Sequence, residues 1–271
     1  MELFRCESLS FKYPFEEKEA IKDINLTINK GDKIGLIGRN GAGKSTLFLN
    51  FLGLLEKSKG KIFLDNEAIE KKKDLVKLRK KLGLVFQDPD DFFIASTVYE
   101  ELSFGLINNG IEKDEIDEKI NKSLEFFGIE KLKDKCLDEL SGGQKKLVSI
   151  AALSILKPEL LIFDEPTSGV DEKNILSLKD VLEKLENDGT TLLISSHNLD
   201  FIWSWADRIL VLEKGRLIYD GDRTILTKWD FLKEKNLGYP YIPKFMDILG
   251  YGVDLNIRTT EDFESFFRKE R

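Results

Sequence analysis

The stretch Lys33-Ile34-Gly35-Leu36-Ile37-Gly38-Arg39-Asn40-Gly41-Ala42-Gly43-Lys44-Ser45-Thr46-Leu47-Phe48-Leu49-Asn50-Phe51-Leu52 decides how this chain is read. It opens on a short apolar run, Lys33 to Ile37, which suits a strand buried on both faces. It closes on Ser45 to Leu52, a helix with an apolar side turned to a core. Between them, Gly38 to Ser45 fits the phosphate-binding loop pattern, in which glycines let backbone N–H groups cradle phosphates at a helix N-terminus. On that reading Gly38, Asn40, Gly41, Ala42, Gly43 and Thr46 surround a nucleotide's phosphates, Lys44 reaches the β- and γ-phosphates, and Ser45 holds Mg²⁺. The strand before the loop and the helix after it argue against an ordinary glycine turn.

Working outward, Leu9 to Tyr13 alternates apolar and polar residues and is stopped by Pro14, as a half-buried strand would be. Ala20 to Ile28 reads as a second strand, and Lys61 to Leu64 and Leu82 to Phe86 as two more. The run Lys71 to Lys81 is basic at seven of its eleven positions, yet Leu75, Val76 and Leu78 recur at helical spacing. A solvated helix face is therefore preferred to a polyanion site. From Ser96 to about Lys157 the pattern turns helical, clearest over Glu112 to Phe127 and Gln144 to Leu156, which predicts a helical subdomain over about 96–157. Strands return at Leu160 to Phe163, Thr190 to Ile194 and Ile209 to Leu212, alternating with a helix over Asn174 to Asn187. Such alternation predicts an α/β fold with a largely parallel sheet and crossover helices. Beyond about Thr224 the sequence becomes aromatic and then helical around Phe245 to Leu249, so 1–224 reads as the main domain and 225–271 as a C-terminal extension.

Composition narrows the functional classes. The 271 residues are 41% hydrophobic and 34% charged, enough for a soluble globular core without disulfide staples. A net charge of −7 supplies no global field for nucleic acid or anionic lipid. Cys6 and Cys136 show no metal-ligand spacing and are expected to be free, buried thiols. No secretory signal pattern and no apolar stretch of about 20 residues is present, so the chain is not expected to form a membrane channel itself.

A nucleotide loop needs a carboxylate from a neighbouring strand to help hold the metal, and Leu160-Leu161-Ile162-Phe163-Asp164-Glu165 ends an apolar strand in two acids. Asp164 is the expected metal partner, and Glu165 is placed to polarise a water for attack on the γ-phosphate. Leu140-Ser141-Gly142-Gly143-Gln144 supplies a second glycine-rich helix start, which alone reads more readily as a helix cap than as an anion site.

With the loop, the acidic strand end and Ser141-Gly142-Gly143-Gln144 in this order, the chain resembles the ABC-type ATPases, over roughly Leu3 to Gly221. The resemblance implies a P-loop NTPase core with an antiparallel β subdomain, an inserted helical subdomain and a small C-terminal helical extension. It also implies Gln87 as the glutamine that senses Mg²⁺ and the attacking water, Asp171 as a residue that communicates across a dimer, and His197 as the switch histidine at the γ-phosphate. Tyr13 resembles the aromatic that stacks on adenine, with a core tyrosine as the alternative.

Val85 to Phe93 and Thr97 to Gly105 resemble the ATPases of energy-coupling factor importers and related cobalt and nickel importers. Three positions depart from the group: Phe92 stands where Gln is frequent, Leu147 where Arg is common, and Gly169-Val170 where Ala-Leu is frequent. Phe92 leaves the contact with a membrane partner open. The resemblance implies ATP and Mg²⁺ as cofactors, with ATP sandwiched between the phosphate loop of one subunit and the signature motif of another. A homodimer or a heterodimer with a sister ATPase would close the two sites. It further implies a transmembrane coupling subunit, a membrane-embedded substrate-binding subunit and a peripheral place on the cytoplasmic face of the cell membrane. The ATPase of another ABC transporter class, or a soluble ABC ATPase in nucleic-acid repair or translation, is the alternative, and neither the cargo nor the partners can be read from these residues.

Overall fold

Bulges and buried apolar runs decide where the strands fall. A computed structural model of the protein describes residues 1–168 and 172–269. In chain order the elements are β1 (Glu2–Phe11), β2 (Ile21–Asn29), β3 (Lys33–Ile37), α1 (Lys44–Phe51), β4 (Lys59–Leu64), β5 (Glu67–Ala68), α2 (Lys72–Lys81) and β6 (Leu82–Val85). Then come α3 (Val98–Asn108), α4 (Lys113–Phe127), α5 (Gly142–Ser154), β7 (Leu160–Asp164), α6 (Glu172–Asn187), β8 (Thr191–Ser195) and α7 (Leu199–Trp205). The chain finishes with β9 (Arg208–Glu213), β10 (Arg216–Asp222), α8 (Trp229–Lys235), α9 (Tyr241–Ile248) and α10 (Thr260–Lys269).

Among the described residues the strands form two sheets, an antiparallel one ordered β2-β1-β4-β5 and a mixed one ordered β10-β9-β3-β8-β7-β6. The second sheet is parallel from β9 to β6, with β10 added antiparallel at one edge. Its inner strands alternate between two cores: Leu160 and Ile162 point to the side of the antiparallel sheet and α1, while Leu161 and Phe163 point to the helical side. Burial on both faces is why these strands read as unbroken apolar runs. Because β3, β6, β7 and β8 run the same way, the segments that leave their C-terminal ends meet along one edge, the usual ligand edge of an open α/β sheet.

Two expectations change, that of the first strand and that of the second cysteine. The first strand spans Glu2–Phe11 rather than Leu9 to Tyr13, because register shifts along it and the positive φ of Ser8 break the two-residue alternation. The basic helix is exposed along much of its length, as a solvated face is, and its Arg79 donates to the carbonyls of Leu52 and Gly53 at 3.1 and 2.7 Å, closing the C-terminal end of α1. Cys6 is buried and its thiol is pushed up to about 12 by burial, whereas Cys136 is exposed. The C-terminal segment packs back on the sheet domain: Ile225, Leu226 and Leu232 join the helical-side core. The buried Trp203 indole donates to the Ile257 carbonyl at 2.9 Å, and Arg258 pairs with Asp207.

Candidate functional site

At the end of β3 the glycines serve different ends. A Cβ on Gly38 would lie 2.5 Å from the Leu212 carbonyl, and one on Gly43 would lie 2.6 Å from the Ala20 carbonyl, so close packing requires both. Gly41, at φ +76°, has open space where a Cβ would point and supplies the backbone turn itself. Gly43 is the N-cap of α1 in a left-handed conformation, and no side chain caps the helix. The first turn of α1 therefore presents N–H groups that no side chain of the cap satisfies.

Lys44, the first residue of α1, is buried; its Nζ donates to the Gly38 carbonyl at 2.7 Å and lies 3.1 Å from Glu165 Oε1. That Oε1 is buried and receives no hydrogen bond, so the contact with Lys44 is an ion pair off the hydrogen-bonding angle. Glu165 Oε2 accepts from the His197 N–H at 3.1 Å and lies 2.7 Å from His197 Nδ1. Glu165 itself takes φ +48°, a left-handed conformation that a glutamate adopts only when its surroundings hold it there. They do so through Ser195, whose hydroxyl accepts from the Glu165 N–H at 2.9 Å and donates to Asp164 Oδ1 at 2.6 Å. The pairing of Asp164 with Ser195 across β7 and β8 sets this network.

Gln87 leaves β6 and donates from Nε2 to Ser168 Oγ at 3.2 Å, while the Ser168 N–H donates to the Glu165 carbonyl at 3.0 Å. Lys146 of α5 is buried and donates to the carbonyls of Phe86 and Gln87 at 3.1 and 2.5 Å. Burial pushes its ammonium down to about 8, against the pull of Asp88 and Asp164. Tyr13 lies beyond β1, is 37% exposed, and so is not a core tyrosine. Its ring meets Phe11 edge-on at 4.8 Å, and its hydroxyl lies 3.0 Å from Thr46 Oγ1 at the start of α1.

Lys44, Asp164, Glu165 and His197 thus come together, with Gln87 joined through Ser168. Ser141 and Gln144 stand apart from them, with Gly142 and Gly143 in the first turn of α5. Ser141 caps α5, its hydroxyl accepting from the Gln144 N–H at 3.4 Å while Gln144 Oε1 accepts from the Ser141 N–H at 3.0 Å. Among the described residues no hydrogen bond or ion pair joins Ser141 or Gln144 to the Lys44–Glu165 group. Asp171, with Gly169 and Val170, lies outside the described residues. The reading of the sequence missed Ser195, Ser196, Thr167 and Lys146. A pair of hydroxyls at a strand end before a lone histidine was the available signal for the first two; Thr167 Oγ1 and Ser196 Oγ lie 2.9 Å apart.

Over residues 21–168 the sequence matches the ABC transporter family. The chain belongs to the ABC transporter family. This ABC protein is 36% identical over 266 residues to the energy-coupling factor transporter ATP-binding protein EcfA of Methanothermobacter thermautotrophicus, covering 96% of this chain and 85% of the relative. To EcfA3 of Clostridium perfringens it is 37% identical over 250 residues, covering 91% of this chain and 87% of the relative. Its fold matches CbiO1 from Clostridium perfringens, part of the ABC transporter complex CbiONQ, with a TM-score of 0.78 at 35% identity, covering 92% of this chain and 98% of that one. It is an ATPase of the ABC type, and among its described residues no helix is long and apolar enough to cross a membrane.

Proposed function

We propose that this ABC ATPase energises an importer of the energy-coupling factor type, with a vitamin or a transition-metal ion as cargo. The observation that carries the reading is the connected group Lys44–Glu165–His197 at the C-terminal edge of the parallel sheet, beside the open N-terminus of α1. The names of the relatives support the transport role. The triphosphate lies along Gly38 to Thr46, with Tyr13 against the adenine. Lys44 exchanges Glu165 for the β- and γ-phosphates, and Glu165 is then free to take a proton from the attacking water. His197 holds Glu165 Oε2 by both its backbone and its ring, so the carboxylate is oriented before substrate arrives.

Ser45, Asp164 and Gln87 would hold Mg²⁺. Among the described residues no group of three or more His, Cys, Asp or Glu is gathered for a metal. The hydroxyl, carboxylate and amide oxygens at this edge suit an ion that keeps several waters and is bound through a few protein oxygens and the substrate phosphates. Bound there, Mg²⁺ would neutralise charge on the phosphates.

Among the described residues no hydrogen bond or ion pair joins Ser141 or Gln144 to the Lys44–Glu165 group, which supports the reading that Ser141, Gly142, Gly143 and Gln144 meet the nucleotide of a second ATPase, a copy of this chain or a sister. Asp171 would act at the same interface. The extension over 225–271 would help hold the pair together, since Tyr241, Phe245, Ile248 and Leu249 expose an apolar face on and just after α9. A transmembrane coupling subunit would sit against Ile94, Phe104 and Ile107, exposed apolar residues beyond Gln87, with a membrane-embedded substrate-binding subunit beside it. The ATPase would then lie peripherally on the cytoplasmic face of the membrane.

Two experiments test this. Glu165→Gln is expected to keep ATP binding, to lower turnover by about a hundredfold to ten-thousandfold, and to accumulate a closed dimer on size-exclusion chromatography. Turnover near wild type would remove Glu165 from the role of base. Purification of the tagged protein from gently solubilised host membranes should bring down a multi-span protein and a small membrane-embedded binding protein; ribosomes, nucleic acid or nothing would count against transport.

A further inference from the structure

Lys146 is a buried cation that neither the nucleotide site nor the core accounts for. Its side chain is 7% exposed, and among the described residues no carboxylate pairs with it. A buried ammonium in no direct ion pair, attracted by Asp88 and Asp164 only from a distance, costs more than an apolar side chain of the same length. Leu147, Ile150 and Leu178 line the adjoining cavity and would accept such a side chain. Stability therefore does not explain the lysine, and its two hydrogen bonds suggest what does. Both go to main-chain carbonyls, those of Phe86 and Gln87, at the point where the chain leaves β6.

Holding the Gln87 carbonyl places the backbone from which the Gln87 side chain leaves, and its amide reaches Ser168, which in turn bonds to the Glu165 carbonyl. Lys146 also lies one turn beyond Gly143 on α5, the helix that begins with the signature residues. Two further ties strap the following segment to the same helical layer. Lys145 pairs with Asp90 at 2.7 Å, and the buried Glu101 Oε2 accepts from the N–H groups of Ile94 and Ala95, both at 3.0 Å.

We propose that Lys146 is a positioning residue that locks the Gln87 backbone to the signature helix, so that movement of α5 carries Gln87 with it. The inference rests on the reading above, in which Gln87 serves the chain's own nucleotide and the signature meets that of the second subunit. One lysine then joins the two half-sites of a single chain.

The test is a double-mutant cycle on the purified full chain, with steady-state ATP hydrolysis and a fluorescent-ATP titration for each variant. Lys146→Met keeps the length and loses the donors. It is expected to lower kcat by about tenfold or more while leaving ATP affinity within about twofold. Lys146→Arg, which retains donors, should recover most of the loss, and Lys146→Met should cost nothing further in a Gln87→Ala background. A normal kcat for Lys146→Met beside a depressed one for Gln87→Ala would overturn the inference alone. So would a loss that is undiminished when Gln87 is already alanine, or loss of ATP binding in both lysine variants, which marks a structural role. Normal turnover in Gln87→Ala would instead bring down the role given to Gln87, and this inference with it.

Discussion

Helices α1 and α5 both begin on glycine-rich sequence, yet their first turns are in opposite states. The N-terminus of α1 has no side-chain cap and is set by a left-handed Gly43. That of α5 is closed by a reciprocal box in which Ser141 and Gln144 satisfy each other's backbone N–H groups. The first is held by neighbouring backbone and leaves its N–H groups without a side-chain partner; the second is a self-sufficient helix start whose Gly142 faces open space. Two stretches that look alike as sequence thus differ in what they lack when nothing is bound.

The largest expected difference is in binding. Lys44→Ala should weaken ATP affinity about tenfold to a hundredfold, the loss of one or two charge-assisted hydrogen bonds. An unchanged affinity by fluorescent-nucleotide titration would remove Lys44 from the phosphates. Next comes a paired alanine substitution. Gly43→Ala drives a Cβ against the Ala20 carbonyl at a positive φ, and should cost about 1–3 kcal/mol by urea unfolding. Gly142→Ala meets nothing within 4 Å at an ordinary φ and should leave stability within about 0.5 kcal/mol while still lowering hydrolysis. Equal stability losses for the two would erase the distinction between the helix starts. Ser141→Ala removes the cap and should cost about 1 kcal/mol, between the two glycine variants, seen as a drop of roughly 2–4 °C in Tm. Monomer affinity for ATP should not move.

The same contrast explains what was legible in the sequence. The strands of the parallel sheet read to within a residue or two because burial on both faces leaves no polar interruption. β10, with its partly exposed pattern, and α7, a single capped helix of seven residues, carry too little periodicity to be seen. Site residues that lie in contiguous motifs, Lys44, Asp164 and His197 among them, could be picked out one by one. Their connections could not, because the contact of Glu165 with Lys44 and the double role of Ser195 arise from strand register between segments far apart in the chain. Nothing in the sequence singles out Lys146, since periodicity does not mark which side of α5 meets the end of β6.

The ion pair between Lys44 and Glu165 gives the resting protein a tethered competitor. On the proposed reading the carboxylate is an anion held beside the cation that a phosphate would claim, at the high effective concentration that tethering provides. Measured ATP affinity is therefore a net quantity, lowered by whatever it takes to displace Glu165. Neutralising that side chain removes the competitor together with the base, so Glu165→Gln should bind ATP more tightly than the wild-type chain even as it loses the ability to hydrolyse it.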